Sequence, residues 1–182
     1  IPNFNDAIEN ICGNPDSLIV VLDQDDALMS HNLVERLQTE IDSGTDLING
    51  AMFRPNKPAQ LYSPTYENPR QNGGGNVWAH MRAFRKSLFE QVPKRYFVDG
   101  KGAWIDAVTD YATMLPMSEI AKRPVHIDDM YCYYHEREEY SVARREQSFS
   151  LLKAVFDKPS LRNLLKSQAV QAATSLTSAD TT

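Results

Sequence analysis

The run Ser17–Leu22 (SLIVVL) is the feature that most limits the folds open to this chain. A turn at Asn14–Asp16 precedes it, and the polar residues Asp23–Asp26 (DQDD) end it. A strand with one exposed face alternates apolar and polar residues, whereas a continuous apolar run is typical of a strand buried on both faces of an α/β sheet. The sequence therefore predicts an α/β fold with this strand inside the sheet.

Three carboxylates follow the strand directly. Asp23, Asp25 and Asp26 would lie at the carboxyl end of the strand, which is where open α/β sheets bind ligands. Three carboxylates within four residues repel one another unless a cation neutralises them. Hard oxygen ligands at this spacing suit Mg²⁺ or Mn²⁺, whose open positions phosphate oxygens can fill. The alternative interpretation is an acidic turn that caps the next helix.

Charge and composition exclude two classes of protein. The chain has 19 Lys and Arg against 24 Asp and Glu, a net charge of −5. Residues 1–140 carry a charge of −8 and residues 141–182 a charge of +3. An acidic body argues against nucleic acid as the main partner. No apolar run approaches the ~20 residues of a membrane-spanning helix.

Hydrophobic periodicity and turn residues predict the remaining elements. Cys12 and Cys132 form no disulfide framework and are typical of buried thiols in a reducing compartment. In chain order the pattern predicts a helix over Asn3–Gly13, a helix carrying Leu33, Leu37 and Ile41, a strand at Asp46–Phe53, a long loop over Arg54–Asn76, a strand at Val77–Phe84, a helix at Arg85–Gln91, a helix at Asp106–Ile120, a last strand within Pro124–His135, and amphipathic helices at Ser141–Phe156 and Ser160–Ala173.

Four blocks of the sequence resemble family 2 glycosyltransferases of the GT-A fold, and they follow in that family's order. The first is Leu18–Leu28 (LIVVLDQDDAL), which is similar to the D-x-D region. His80–Phe89, Asp110–Met117 and Tyr131–His135 are similar to the later blocks of bacterial members. The resemblance covers roughly Asn3 to Glu139.

The resemblance implies a partial GT-A domain, with a Rossmann-like mixed sheet flanked by helices. The N-terminal strands that bind the nucleotide would be missing, because no matching strand and turn precede Asn3. Residues 1–140 would form this partial domain, residues 141–173 a C-terminal helical extension, and residues 174–182 a disordered tail. The sheet edge where strands are missing would then be exposed and prone to self-association.

The resemblance also implies a cofactor and a donor. Asp23 would lie near the ribose of a nucleoside-diphosphate sugar, Asp25 would bind Mn²⁺ or Mg²⁺, and Asp26 would orient them. His135 would complete the metal shell, although a surface histidine is the alternative. Asp23, Asp25 and Asp26 are expected to converge with Asp106 and Asp110 on the cation.

Asp110 matches the general base of the family, and Asp106, one helical turn earlier, is the reserve candidate. Many relatives have Gly-Asp or Glu-Asp where this chain has Thr109-Asp110. From the residues alone, Asp110 is equally typical of a helix N-terminus, where a carboxylate caps the helix and compensates its dipole.

The acceptor side in relatives corresponds to the segment after the triple glycine. It carries Trp78, His80 and Arg82, and Trp104 precedes Asp106 in a similar loop. Trp78 would stack on a sugar ring and Arg82 would contact phosphate. The alternative is a buried tryptophan and a solvated arginine.

The sequence thus predicts a metal-dependent inverting glycosyltransferase that acts on a glycan or glycolipid precursor. We expect it in the cytoplasm, with the basic C-terminal helices in peripheral contact with the inner face of the membrane. One alternative is a non-catalytic metal-binding, carbohydrate-binding or scaffold module. Another is a haloacid-dehalogenase-like phosphatase with Asp23 as nucleophile, although Ala27 stands where that motif has Thr or Val.

Overall fold

A computed structural model describes residues 2–55, 63–72, 77–78, 81–133 and 141–179, with only the backbone of residues 129–133 and 173–179. The strands are β1 Leu18–Val21, β2 Ala27–Leu28, β3 Leu47–Phe53, β4 Arg82–Arg85 and β5 Pro124–Tyr133. The helices are α1 Pro2–Asp6, α2 Leu33–Asp42, α3 Lys86–Phe89, α4 Thr109–Ile120, α5 Val142–Phe156 and α6 Leu161–Ala179. A wide turn, Ala7–Ile11, continues α1, and short 3₁₀ turns occur at Pro69–Gln71 and Lys94–Tyr96.

The strands form one mixed sheet in the order β1-β4-β3-β5-β2. β3 and β5 run parallel, and the other neighbours are antiparallel. Helices lie along this sheet, so the predicted α/β class with a mixed sheet is confirmed. The predicted strand at Asp46–Phe53 is also confirmed, as β3.

The main core lies between one face of the sheet and α4. Phe84 of β4 and Leu47 of β3 point to this face, where Phe84 stacks with Phe89 at 5.8 Å between ring centroids. Every residue of α4 from Tyr111 to Glu119 is buried. A helix surrounded on all sides carries apolar residues on all sides, which explains the sequence YATMLPM in its centre.

The opposite face is covered by α2, which also packs against Leu18 of β1 but leaves Val20 exposed. Leu33 and Leu37 of α2 pack on Ile48 of β3 and on its neighbours in β4 and β5. Val20, on β1, is 40% exposed. The prediction that this strand is buried on both faces is therefore wrong, because β1 forms the edge of the sheet and pairs only with β4 among the described strands.

The C-terminal helices pack on α4. Val155 of α5 and Leu161 of α6 are buried in the α4 core. α6 continues to Ala179, beyond Ala173, where the sequence pattern predicted its end. Residues 180–182 lie outside the described part of the chain, and the proposed division into domain, extension and tail stays a prediction.

A buried carboxylate holds α6 in place. Glu119, 3% exposed, accepts a hydrogen bond from Arg70 Nε at 2.5 Å and one from the Leu161 backbone N–H at 2.5 Å. Arg162 Nε donates to the Glu119 carbonyl at 2.6 Å, and Arg70 also donates to the Phe156 carbonyl at 2.8 Å. Glu119 therefore joins the end of α4, the start of α6 and the Pro69–Gln71 turn.

Within the described ranges, no helix has both the length and the apolar character needed to cross a membrane.

Replacing Glu119 by Ala is expected to lower the free energy of unfolding by about 3–5 kcal/mol, because Arg70 and the Leu161 N–H lose their buried acceptor. Urea unfolding followed by circular dichroism measures this loss. Glu146→Ala, which removes an exposed carboxylate from α5, is the matched control and should change stability by less than about 0.5 kcal/mol. Equal losses for the two variants would contradict the role given to Glu119.

The chain is expected to self-associate through the β1 edge, because among the described strands β1 pairs on one side only and its exposed Val20 lies beside that edge. Val20→Lys should lower the mass measured by light scattering at a given concentration, since a lysine on an edge strand opposes pairing. Val34→Lys places the same charge on exposed α2 and should leave the mass unchanged. A wild-type protein that is monomeric at all concentrations would contradict this prediction.

Candidate functional site

The acidic turn lies where β1 ends. Asp26 N–H donates to the Asp23 carbonyl at 3.1 Å, which closes the turn. The turn leads to β2, which pairs with β5 at the other edge of the sheet. The carboxylates therefore lie beside the carboxyl end of β1, as the sequence predicted.

A cavity of about 190 Å³ opens beside this turn. Its apolar walls include Phe4 of α1, Phe84 of β4 and Met114 of α4. Its polar lining groups come from the acidic turn, β4 and α4, and they are Asp23, Arg82, Thr109 and Thr113. Residues more than 80 positions apart in the sequence thus meet around one small space.

An ion pair lies at the rim of the cavity. Arg82 Nη2 is 3.8 Å from Asp23 Oδ1, and the Arg82 side chain is 7% exposed against 41% for Asp23. β4 places Arg82 there because it runs antiparallel next to β1, with Arg82 opposite Val21. A guanidinium held in this way presents a fixed positive charge to a phosphate or carboxylate.

α4 begins with a strained residue. Val108 has φ 53° and ψ 35°, the left-handed region that a β-branched side chain rarely adopts. Such a conformation costs about 1–3 kcal/mol and is maintained by the surrounding structure. It fixes the direction in which α4 starts, so that Thr109 and Thr113 line the cavity and Asp110 stands in the first turn.

The structure separates Asp106 from this helix. α4 starts at Thr109 and not at Asp106, because Val108 leaves the helical region. Asp106 is exposed and accepts a hydrogen bond from Gln147 Nε2 of α5 at 3.4 Å. The prediction that Asp106 shares a helical face with Asp110 is therefore wrong.

The other predicted acceptor-side residues lie in different surroundings. Trp78 is 2% exposed within the α4 core, which is the alternative of a buried tryptophan. Trp104 is half-buried, with Lys94 Nζ 4.9 Å from its ring centroid. His80 and His135 lie outside the described residues.

The expected convergence of five carboxylates is not found. In the part of the chain that the structure describes, no three His, Cys, Asp or Glu side chains come close enough to hold a metal ion. Mg²⁺ is often held by one or two carboxylates together with substrate phosphates. The half-exposed Asp23 and the exposed Asp25 are hard oxygen donors of that kind, so the donor set fits a cation shared with a diphosphate.

Two residues that the sequence analysis did not single out lie on the same face of the sheet. Arg82 is opposite Asn49 of β3, and Asn49 is opposite His126 of β5. Residues directly opposite one another point to one face, so Arg82, Asn49 and His126 form a polar row that starts at the cavity. The available signal was an isolated polar residue in each of two apolar stretches, Asn49 within LINGAMF and His126 within PVHI.

Comparison with protein-family models, curated proteins and solved structures found no match to this chain. The fold and the cavity therefore define an α/β protein with an acidic turn and a buried arginine at one end of its sheet.

Alanine and glycine at position 108 provide a test of the backbone strain. Val108→Gly is expected to be more stable than Val108→Ala by about 1 kcal/mol, because glycine adopts φ 53° without cost. At Phe149, in the middle of α5 and 73% exposed, the order should reverse by a similar amount, since glycine weakens a helix interior. Thermal unfolding of the four variants measures both differences, and the same order at both positions would contradict strain at Val108.

Proposed function

We propose that this chain takes part in sugar transfer from a nucleoside-diphosphate sugar to a hydroxyl group, as a metal-dependent inverting glycosyltransferase. One observation supports this most. Asp23, of the acidic turn, and Thr109, the residue before Asp110 in the first turn of α4, line one cavity although they lie 86 positions apart. The glycosyltransferase resemblance assigns the donor to the first of these blocks and the general base to the second.

The proposed donor site uses the acidic turn and Arg82. Asp23 orients the ribose, and Asp25, with Asp26 beside it and His135 as a further ligand, would hold Mn²⁺ or Mg²⁺. When bound, that cation supplies positive charge against the departing diphosphate. Arg82 adds a fixed positive charge at the same rim, 3.8 Å from Asp23.

The proposed reaction is a single displacement at the anomeric carbon. Asp110 accepts the proton of the acceptor hydroxyl while the acceptor oxygen forms its bond to that carbon. The bond from the carbon to the diphosphate oxygen breaks in the same step, and the nucleoside diphosphate leaves with the electron pair of that bond. Attack from the opposite side inverts the configuration of the anomeric carbon. Asp106 is the weaker candidate for the base, because its carboxylate accepts a hydrogen bond from Gln147 of α5.

The proposed acceptor is a glycan or glycolipid precursor. The resemblance assigns its binding to Trp78, His80, Arg82 and Trp104, of which Arg82 lines the cavity and Trp78 is buried. The protein would act in the cytoplasm, and the basic residues of α5 and α6 would contact the inner face of an anionic membrane. These assignments depend on the resemblance.

A non-catalytic metal- or carbohydrate-binding module is the second candidate. It is favoured by the lining of the cavity, which includes Asp23, Arg82 and Thr109 but, among the described residues, not the proposed base Asp110. The chain would then bind Mn²⁺ or a sugar without releasing nucleoside diphosphate from any donor.

The base assignment predicts that Asp110→Asn lowers turnover by ~10²–10⁴-fold, because the general base is lost while its shape is kept. Release of nucleoside diphosphate, measured over a panel of nucleotide sugars with Mn²⁺ and mixed glycan acceptors, is the readout. Asp42→Asn, on exposed α2, is the matched control and should keep wild-type turnover. An Asp110→Asn rate within a few-fold of wild type would exclude Asp110 as the base.

The metal assignment predicts that Asp25→Ala abolishes Mn²⁺-dependent turnover and weakens Mn²⁺ binding. Binding is measured by electron paramagnetic resonance of free Mn²⁺, with and without a nucleoside diphosphate. Asp16→Ala removes an exposed carboxylate before β1 and should leave binding unchanged. Wild-type binding and turnover in Asp25→Ala would contradict the metal site, and binding without turnover in the wild type would favour the second candidate.

A further inference from the structure

The size of the cavity beside the acidic turn limits what it can hold. Its volume is about 190 Å³, below the ~300–1,000 Å³ of pockets that enclose a drug-sized molecule. A whole nucleotide sugar therefore does not fit inside it. An apolar cavity of about 150 Å³ holds a benzene molecule, and a water molecule takes about 30 Å³ in the liquid. The space thus matches one six-membered ring that carries one small further group.

The walls of the cavity favour an aromatic ring. Phe4 and Phe84 both line the space, and they lie edge-to-face with their ring centroids 6.1 Å apart. Val21 and Met114 add aliphatic surface to the wall. Aromatic rings gain from edge-to-face and offset contacts beyond the area that they bury. A flat ring in the cavity would therefore extend the aromatic cluster that Phe4 and Phe84 form with Phe89.

The ion pair makes the inside of the cavity positive. The Arg82 side chain is 7% exposed, whereas Asp23, 3.8 Å from it, is 41% exposed. Water and salt screen the field of an exposed charge much more than that of a buried one. The guanidinium charge therefore prevails inside the cavity, and the carboxylate charge prevails at its rim.

The start of α4 adds to this positive end. Thr109 lines the cavity from the first turn of the helix, where the backbone N–H groups carry a partial positive charge. Val108, which precedes the helix, has no side-chain oxygen to cap these groups. Asp110 lies in the same turn but is not among the described residues that line the space. The Thr113 hydroxyl donates to the Thr109 carbonyl at 2.8 Å, so its oxygen is left to accept.

We propose that this cavity binds a monocyclic aromatic carboxylate. The ring lies against Phe4 and Phe84, and the carboxylate points to Arg82 and Thr109. A planar guanidinium is the side chain that best matches a carboxylate. The volume left beside the ring suits a carboxylate better than a bulkier tetrahedral phosphate. The proposal rests on the lining of the cavity alone, and it goes beyond the sugar-transfer function, in which such an acid would compete with the donor diphosphate for Arg82.

Methionine methyl NMR of the wild-type chain tests the site with benzoate as the probe. The ring current of bound benzoate should shift the Met114 signal in a saturable way, with a Kd of about 1 mM or lower. Met52 of β3, also buried but outside the cavity lining, is the matched control and should keep its signal. Met114→Leu and Met52→Leu identify the two signals.

Ligands and variants that lack one charge test the role of the guanidinium. Benzyl alcohol keeps the ring without the charge, and its Kd should be about 10–100-fold higher than that of benzoate, because a hydrogen bond to a charged group is lost. Arg82→Gln should raise the benzoate Kd to near that of benzyl alcohol and leave benzyl alcohol binding unchanged. Arg95→Gln, at an exposed position, is the control and should keep the wild-type Kd.

Four results would overturn the proposal. They are the absence of a saturable Met114 shift, equal affinity for benzoate and benzyl alcohol, an equal shift at Met52, and tighter binding of phenyl phosphate than of benzoate. The comparison of ligands on the wild-type chain decides the case even where Arg82→Gln fails to fold. Because the readout is binding and not turnover, failure here is distinct from failure of the sugar-transfer function.

Discussion

The Glu119 carboxylate is the interaction on which the arrangement of the helices depends. It lies at the end of α4, and its two oxygens bind Arg70 and the first backbone N–H of α6. A buried carboxylate is costly unless its acceptor sites are satisfied. The Pro69–Gln71 turn and the start of α6 are therefore both held at the C-terminal end of α4. These contacts fix the position of α4, whose N-terminal end lines the cavity.

The other end of α4 and strand β4 together create the site. β4 lies antiparallel between β1 and β3, which places Arg82 next to Val21 and Asn49 at once. The left-handed Val108 then sets how α4 approaches the same edge. Arg82 of β4 supplies the charge pair with Asp23, and Thr109 and Thr113 of α4 line the cavity beside that pair.

The sequence was informative where local pattern decides structure. The apolar run before Asp23 and the periodicity of Leu33 and Leu37 predicted β1 and α2 because each depends on neighbouring residues only. Prediction from the sequence failed where contacts between distant segments determine the structure. The edge position of β1 depends on which strands pair with it, and the polar row at Asn49 depends on register between strands far apart. A valine at positive φ, as at Val108, carries no sequence signal because valine normally avoids that conformation.

The long sequence separation between paired strands has a consequence for how the protein forms. Leu18 pairs with Arg85, and Leu47 pairs with Pro124, so each of these two pairings closes a large loop of chain. Sheets built from such pairings fold slowly, since loop-closure entropy is lost before the contacts are gained. The charge pair of Asp23 and Arg82 cannot exist until β4 has docked on β1. The acidic turn therefore gains its charge partner only after the long loop between β1 and β4 has closed.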